Sequence, residues 1–341
     1  MTINDFEMME PMKYYDNPEP KTMNAQIKRN SIINGDLSPQ YIATVKFDGD
    51  WAMFIHKSQG ENLIRSRSIS KITGKYGDYT AKLPALVEIM DNWADNTVLL
   101  GEICLSGENQ NANTIGTILR CLPEKAIERQ KTTPVEVHLF DALMVAGQDL
   151  TNKPYVERLK FINTYEFYDI TNKFYSPIIF EDNFDIHADE IISNGGEGLV
   201  LQMRLNPYMP GTRTAWKTLK LKQCLPHIDL KVIGTIEPNK NYCGDFAINW
   251  PYQIDGVNVT KPYYMGWKNG IRVLLTTGIT TDITSGLTDD DRAFLATDEA
   301  QVKIAAGELW AEVKAMSIND LGKLRHGSLV RLRTDLNSDG E

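Results

Sequence analysis

Lys46 is the residue whose surroundings in this sequence most clearly indicate chemistry. It begins the run Lys-Phe-Asp-Gly at residues 46–49, which separates two apolar runs with the composition of β-strands. A lysine held beside a carboxylate at the end of a strand, and partly desolvated, can act as an amine nucleophile once it loses its proton. The alternative is an ordinary hairpin with a solvated lysine, because so short a pattern recurs by chance. The choice depends on which residues share its pocket.

Charged residues also interrupt apolar runs elsewhere in the chain. Glu102, Asp141 and Glu197 each interrupt or end such a run. Lys220 and Lys222 fall on one face of a further predicted strand. Because a buried, unpaired ion is costly, these residues form either structural ion pairs or one common pocket. A common pocket would combine a nucleophilic lysine with carboxylates for a divalent cation and lysines for a triphosphate.

The distribution of charge favours anion sites in a chain that is acidic overall. The formal net charge is −9, which taken alone argues against nucleic-acid binding. Residues 63–76, 211–223 and 322–333 nevertheless carry arginine and lysine with no aspartate or glutamate. Solvated faces are the alternative for each stretch, but three of them together favour binding to phosphate.

Length and composition indicate a globular protein with two domains. The chain has 341 residues, of which 42% are hydrophobic and 24% are charged. Its 4 cysteines form no C-x-x-C pair, so we expect no zinc site and a reducing, cytoplasmic location. Neither a signal peptide nor an apolar run of about 18 residues is present, so we expect no membrane association.

Hydrophobic periodicity predicts the elements that position the charged residues. Residues 1–40 give only weak signals, whereas residues 41–67 predict three strands separated by turns. After about residue 225, short strands with Gly, Asn and Pro turns predict a small barrel compatible with an OB-fold. We expect helices at residues 84–94, 114–129, 154–166 and 290–305, and strands at 98–105, 198–201 and 216–222, with another from 135 to about 141.

The ordered set of motifs resembles the nucleotidyltransferase superfamily of ATP-dependent DNA ligases, RNA ligases and capping enzymes. Residues 46–49 resemble its first motif, whose lysine becomes covalently adenylylated. The likeness extends over residues 41–336 and is to the small ligases of bacteriophages in particular. The other matching segments, in the family's order, are residues 66–68, 100–103, 139–143, 147–150, 157–158, 197–200, 216–222, 324–326 and 330–335.

The resemblance implies an α+β fold and a defined reaction. Residues 1–225 would form an adenylation domain (nucleotidyltransferase, ATP-grasp-like) of antiparallel sheets with helices, and residues 226–341 an OB-fold β-barrel. The protein would be a monomer that acts on nicked double-stranded DNA, with ATP as co-substrate and Mg²⁺ or Mn²⁺. Lys46 would take AMP from ATP and pass it to the DNA 5′-phosphate, which the 3′-hydroxyl then attacks.

The resemblance also implies roles for individual residues. Glu102 and Glu197 would bind the metal ion or the ribose, and Asp48 would bind the metal ion or assist the later steps. Lys220 and Lys222 would hold the α-phosphate. The nucleotide would be contacted by Thr44, Val45, Phe47, Arg67, Glu102, Phe140, Lys220, Lys222, Arg331 and Arg333, with Phe140 stacked on adenine, Arg67 on phosphate or ribose, and the last two arginines closing over pyrophosphate.

Three positions depart from the family pattern. Trp51 stands where arginine is usual, and Thr44 stands where an acidic or amide residue is common. Leu336 stands where the last motif usually has lysine, which bears on the efficiency of self-adenylylation. We therefore expect adenine to be recognised through backbone contacts or through side chains outside these positions.

Several other functions remain as alternatives. An RNA ligase would share the lysine chemistry, but the aspartate of residues 46–49, the segment 140–143 and the C-terminal barrel favour DNA. A capping guanylyltransferase fits less well, and an NAD-dependent ligase would carry zinc-binding cysteines. A non-catalytic nucleic-acid clamp is disfavoured because all of the implied catalytic residues are intact, namely Lys46, Glu102, Glu197, Lys220 and Lys222.

Overall fold

The computed structural model divides into two compact units, Met1–Lys222 and Gln223–Glu341. It describes residues 1–14, 22–70, 73–107, 112–164, 173–213, 216–222, 225–238, 251–254, 257–260, 266–319 and 321–336. Lys71 of the first basic stretch and two of the cysteines considered above, Cys224 and Cys243, lie outside the described residues. Across the described residues, no helix combines the length and apolar character that crossing a membrane requires.

The first unit is built on sheets flanked by helices. Its strands are β1 (Tyr41–Lys46), β2 (Asp50–His56), β3 (Asn62–Ile69), β4 (Tyr76–Asp78), β5 (Thr97–Leu105), β6 (Val135–Val145), β7 (Gln148–Asp149), β8 (Phe174–Tyr175), β9 (Ile179–Phe180), β10 (Gly198–Met203) and β11 (Thr218–Lys222). Its helices are α1 (Asp5–Met8), α2 (Met23–Asn34), α3 (Pro84–Met90), α4 (Ala112–Leu119), α5 (Pro123–Gln130), α6 (Tyr155–Thr164) and α7 (Phe184–Ser193).

The described part of the first unit contains two sheets. The smaller has the order β11-β10-β1-β9, and the larger runs β4-β3-β2-β5-β6-β7, with β8 added in parallel to β6. All other pairings in these sheets are antiparallel. This mixture of helices and antiparallel sheets agrees with the α+β class expected from the sequence.

The turn after Lys46 carries the chain from one sheet into the other. β1 pairs with β9 and β10, whereas β2 pairs with β3 and β5. The interpretation of residues 46–49 as the turn of an ordinary hairpin is therefore wrong, because the strands on either side of the turn belong to different sheets. Gly49 is needed there for space, since a Cβ atom would lie 2.3 Å from the carbonyl oxygen of Ile103 and 2.7 Å from Cys104 Sγ. Lys46 ends its strand where the two sheets approach each other.

Alternation along β10 and β11 separates an apolar face from a polar one. Leu199, Leu201, Leu219 and Leu221 pack into a core with side chains from α2 and α7. The residues between them point to the opposite face of the sheet. That face therefore carries Val200 and Lys220, which are cross-strand partners.

The second unit contains a five-stranded antiparallel sheet within its described residues, in the order β16-β15-β12-β17-β20. The strands here are β12 (Ile228–Ile236), β13 (Pro251–Ile254), β14 (Val257–Thr260), β15 (Gly270–Leu274), β16 (Thr280–Ile283), β17 (Trp310–Lys314), β18 (Ser317–Ile318), β19 (Leu324–Arg325) and β20 (Ser328–Arg333). The helices are α8 (Asp289–Phe294) and α9 (Asp298–Ala306). A separate apolar core lies against this sheet.

Several predicted elements differ from those observed. The helix expected over residues 114–129 is two helices, because Pro123 begins the second one and cannot donate a hydrogen bond to a preceding turn. The helix expected over 290–305 is likewise divided into α8 and α9, and the second starts with a hydrogen bond from Ala300 N to the Thr297 side chain. Residues 1–40 gave only weak sequence signals, yet they include helix α2.

Asp141 does not end its strand as expected, because β6 continues to Val145. Its carboxylate is fully buried and accepts two hydrogen bonds from Arg158, at 2.7 and 2.9 Å. Of the two interpretations offered for the carboxylates in apolar runs, the structural ion pair is therefore correct for Asp141.

Candidate active site

A cleft in the first unit collects most of the residues singled out in the sequence. The predicted residues that line it are Thr44, Val45, Lys46, Phe47, Arg67, Glu102, Phe140 and Lys220. Other lining residues include Tyr14, Trp51, His138, Tyr155, Ile178, Val200 and Gln202. Lining residues come from both sheets, since β1, β10 and β11 belong to the smaller and β2, β3, β5 and β6 to the larger.

The Lys46 amine contacts the Glu197 carboxylate. Their side chains are 17% and 8% exposed, so water reaches the pair only in part. The contact follows from strand pairing, because Lys46 is the partner of Gly198 and Glu197 immediately precedes it. Gly198 has φ +129°, and a Cβ atom there would lie 2.0 Å from the carbonyl oxygen of Leu221. Only glycine allows the three strands to approach this closely.

Glu102 brings a second carboxylate to the same end of the cleft. It lies on β5, as the cross-strand partner of Trp51. Burial raises the pKa of Glu102 to about 7, and the Lys46 ammonium opposes that shift. Glu197 adds to the shift and Arg67 opposes it, so these charges act on one another across the cleft.

β11 adds two lysines beside this charged end. Lys222 pairs with Gly198, and Gly198 pairs with Lys46 on its other side. Lys46 and Lys222 therefore lie at the two ends of one row of residues that crosses three strands. Lys220 is the partner of Val200 and lines the cleft. Neighbouring strands lie about 4.8 Å apart, so this row spans roughly 10 Å and matches a polyphosphate chain in size and charge.

Apolar and aromatic side chains also line the cleft. They are Phe140, Trp51, Ile178, Val200 and Tyr155. The Tyr155 hydroxyl donates a hydrogen bond to the carbonyl oxygen of Phe140 at 3.0 Å, which fixes the ring beside the cleft. A cleft that combines apolar and aromatic side chains with a cluster of charges suits a nucleoside phosphate.

The family model described as the ATP dependent DNA ligase domain matches residues 22–222, which is more than half of the chain. The chain belongs to the ATP-dependent DNA ligase domain family. This membership confirms the resemblance to the nucleotidyltransferase superfamily drawn from the ordered motifs.

Curated relatives of this ligase-family chain include two proteins named DNA ligase. That of Methanothrix thermoacetophila is 31% identical over 224 residues, which are 63% of this chain and 38% of the relative. That of Methanocorpusculum labreanum is 28% identical over 193 residues, which are 55% of this chain and 33% of the relative. The chain thus spans well under half the length of either protein.

Solved structures agree on the fold. A structure described as a Lig E DNA ligase, binding DNA with a minimal scaffold, has a TM-score of 0.61 at 17% identity and covers 94% of this chain and 99% of that one. A second, described as Pmar-Lig, has a TM-score of 0.63 at 15% identity and covers 95% and 68% respectively. At such low identity these likenesses concern the fold alone.

Some implied site residues of this ligase-family chain lie elsewhere. Asp48, Glu197 and Lys222 are not among the described residues that line the cleft, although Glu197 contacts the lining residue Lys46. Arg331 and Arg333 belong to the second unit, where the first donates to Glu312 Oε2 at 2.6 Å and the second to Asp335 Oδ1 at 2.9 Å.

His138 is a cleft residue that the sequence did not single out. Its ring stacks on Phe47 with the centroids 3.5 Å apart, and on its other side lies Tyr175 at 5.1 Å. Burial lowers the pKa of His138, although its hydrogen bond to Glu136 opposes the shift. The only sequence signal was alternation along β6, which places residues 136, 138 and 140 on one face.

The carboxylates fit a metal ion that is shared with a nucleotide. In the described part of the chain, no three His, Cys, Asp or Glu side chains are grouped to hold a metal ion by themselves. Mg²⁺ in phosphate sites is commonly held by one or two carboxylates together with phosphate oxygens. Glu102, which lines the cleft, and Glu197, which contacts Lys46, would supply such an incomplete set.

Proposed function

We propose that this chain is an ATP-dependent DNA ligase that seals nicks in double-stranded DNA through a lysine–AMP intermediate. The observation that carries the proposal is the Lys46 amine, which contacts Glu197 and lines a cleft together with Glu102, Lys220 and several aromatic side chains. Family membership and the names of the curated relatives support the same conclusion.

In the first step, the Lys46 Nζ atom would attack the α-phosphorus of ATP. A nitrogen–phosphorus bond forms and the bond to the pyrophosphate oxygen breaks. The amine must first lose its proton and leave its ion pair, and the Glu197 carboxylate is the group in contact with it. Lys220, Lys222 and Arg67 would neutralise the phosphate charge that develops.

Glu102 and Glu197 would hold Mg²⁺ or Mn²⁺, and Asp48 would bind the metal ion or assist the later steps. A bound cation would supply neutralisation of phosphate charge. Val45, Phe47 and Thr44 would contact the nucleotide from β1 and the turn after it.

The later steps join the DNA strands. The AMP on Lys46 would pass to the 5′-phosphate at the nick, which frees the amine. The 3′-hydroxyl would then attack that phosphate, forming the phosphodiester and releasing AMP. Phe140 would stack on adenine, and its aromatic ring among the residues that line the cleft supports this role.

The second unit is proposed to be an OB-fold domain. We assign residues 1–225 to the adenylation domain and residues 226–341 to this second domain, in a protein that acts as a monomer. The five-stranded antiparallel sheet among its described residues supports the assignment. Arg331 and Arg333 would act on pyrophosphate in the first step, which requires them to exchange their present carboxylate partners for the nucleotide.

Self-adenylylation tests the proposal directly. Incubation with α-labelled ATP and Mg²⁺ should label the protein through an acid-labile, alkali-stable bond. Lys46→Ala should abolish labelling. Lys57→Ala is the matched control, because Lys57 also contacts a carboxylate, that of Glu7 at 2.6 Å, but does not line the cleft. Labelling that persists in Lys46→Ala would remove the proposed nucleophile.

Substrate comparison tests the choice of DNA. A nicked DNA duplex and the same duplex with RNA on either side of the nick should be sealed at different rates, and the DNA form faster. Faster sealing of the RNA form would make the chain an RNA ligase with the same lysine chemistry.

A further inference from the structure

Gln202 is a buried amide in the cleft with an unused hydrogen-bond donor. The residue is 2% exposed and lines the cleft, and its Nε2 atom has no hydrogen-bond partner among the described residues. Buried polar groups without partners are uncommon in native proteins because water can no longer satisfy them. An unpartnered donor inside a binding cleft therefore indicates a ligand acceptor.

The place of Gln202 on its strand indicates which part of a nucleotide it meets. Gly198, Val200 and Gln202 share one face of β10, and their partners on β1 are Lys46, Thr44 and Ile42 respectively. Gly198 lies at the end that holds the reactive amine. At about 3.3 Å per residue, Gln202 is about 13 Å further along the strand. A nucleotide with its α-phosphate at Lys46 and its base along β10 would bring the base edge to Gln202.

Gln202 lies near position 44, where this chain departs from the family pattern. The family commonly has an acidic or amide side chain there, and this chain has the shorter Thr44. Thr44 pairs with Val200, so Gln202 is its diagonal neighbour on the same face, at about 7 Å. The polar group missing from β1 is thus available from β10.

We propose that Gln202 recognises adenine through its Watson–Crick edge. Nε2 would donate to N1, and Oε1 would accept from the 6-amino group. Glutamine and asparagine form paired hydrogen bonds with N6 and N7 of adenine, and N1 with the 6-amino group offers the same combination of acceptor and donor. The inference rests on the proposed adenylyl transfer and identifies the side chain that selects its nucleotide.

The test compares kcat/KM for self-labelling with ATP, with GTP and with purine riboside triphosphate, which lacks the 6-amino group. Wild-type protein should prefer ATP over each analogue by roughly 10- to 100-fold. In Gln202→Met, which keeps the size but not the polar groups, the preference should fall to within about threefold. ATP lacking N7 should label like ATP in both proteins.

A matched control and a second variant keep the inference open to refutation. Asn206→Leu removes another buried amide with unpartnered atoms, but one outside the cleft, and should retain the wild-type preference. Gln202→Glu should lower the ATP-to-GTP ratio, because two carboxylate oxygens can accept from guanine N1 and N2. Selectivity is a ratio within one preparation, so partial misfolding does not alter it.

The outcomes separate this inference from the function on which it rests. No labelling of wild-type protein by ATP would remove the proposed ligase function. Labelling that is strong, with a preference for ATP unchanged in both Gln202 variants, would overturn the role of Gln202 alone. Loss of preference in Asn206→Leu as well would also overturn it, because the effect would then not belong to the cleft.

Discussion

Removing the carboxylate of Asp141 should strongly destabilise the first unit. Asp141 and Arg158 are both fully buried and share two hydrogen bonds, at 2.7 and 2.9 Å. The guanidinium also donates to the carbonyl oxygens of Lys153 at 2.7 Å and Asn206 at 3.0 Å. Asp141→Ala would keep those two hydrogen bonds but would leave the buried guanidinium charge without its counterion.

The magnitude follows from what is lost. Breaking a buried pair by removing one partner costs about 3–5 kcal/mol. Because each 1.4 kcal/mol is a factor of ten, the equilibrium constant for unfolding should rise by a factor of roughly 10² to 4 × 10³. Asp141→Asn keeps one acceptor for the guanidinium and should cost less than Asp141→Ala.

A second aspartate–arginine pair provides the matched comparison. Arg272 and Asp282 form the same two-bond arrangement, at 2.7 and 3.0 Å, but their side chains are 51% and 47% exposed. Asp282→Ala should therefore cost no more than about 1 kcal/mol. Urea unfolding, followed separately for the transition of each unit, measures both changes. Equal costs for Asp141→Ala and Asp282→Ala would refute the argument that burial determines the energy of this pair.

Three further outcomes follow from the structure. Gly198→Ala should lower the free energy of unfolding by about 2–4 kcal/mol and weaken self-labelling. Gly195 is also at positive φ, but no described atom lies within 4 Å of a Cβ added there, so Gly195→Ala should cost only about 1 kcal/mol. Thermal unfolding and self-labelling of both variants measure these changes. The rate of nick sealing at subsaturating DNA should fall roughly tenfold for each doubling of the salt concentration if about four phosphates are contacted. A rate that does not change with salt would contradict the proposal that the basic stretches bind DNA phosphates. The hydrogen bond from Arg331, followed by that from His227, lowers the pKa of Glu312 below its usual 4.5, so stability from this group is complete above pH 4.5 and is lost as pH falls through the lowered value. NMR titration should show that value rising towards 4.5 in Arg331→Ala, and an unchanged value would refute the assignment.

Local patterns were sufficient for the parts of the fold with a clear period. Alternation along β11 assigned Lys220 to the face opposite Leu219 and Leu221, and the structure has it lining the cleft. The apolar run that contains Glu102 is a strand, as expected. These predictions succeeded because side-chain direction in a strand depends only on neighbouring residues.

Features that depend on distant residues could not be predicted. Asp141 looked like Glu102 in the sequence, and only Arg158, seventeen residues away on α6, makes it structural. The turn after Lys46 has the composition of a hairpin, yet β1 pairs with β10, about 150 residues later. The unpartnered Nε2 of Gln202 is equally invisible, because a missing partner is a property of the packed structure.

β10 extends from the position of the Lys46 amine to Gln202. Its pairing register with β1 is constrained by the residues on both faces of the strand. A slip of one residue would turn Leu199 and Leu201 into the cleft and move Val200 and Gln202 into the apolar core. Gly198 resists such a slip, since no residue with a side chain fits against Leu221 at that point. The strand that places Glu197 at the Lys46 amine therefore also fixes Gln202 at the far end. Base selection and lysine positioning should for this reason be lost together whenever the pairing of β1 with β10 is disturbed.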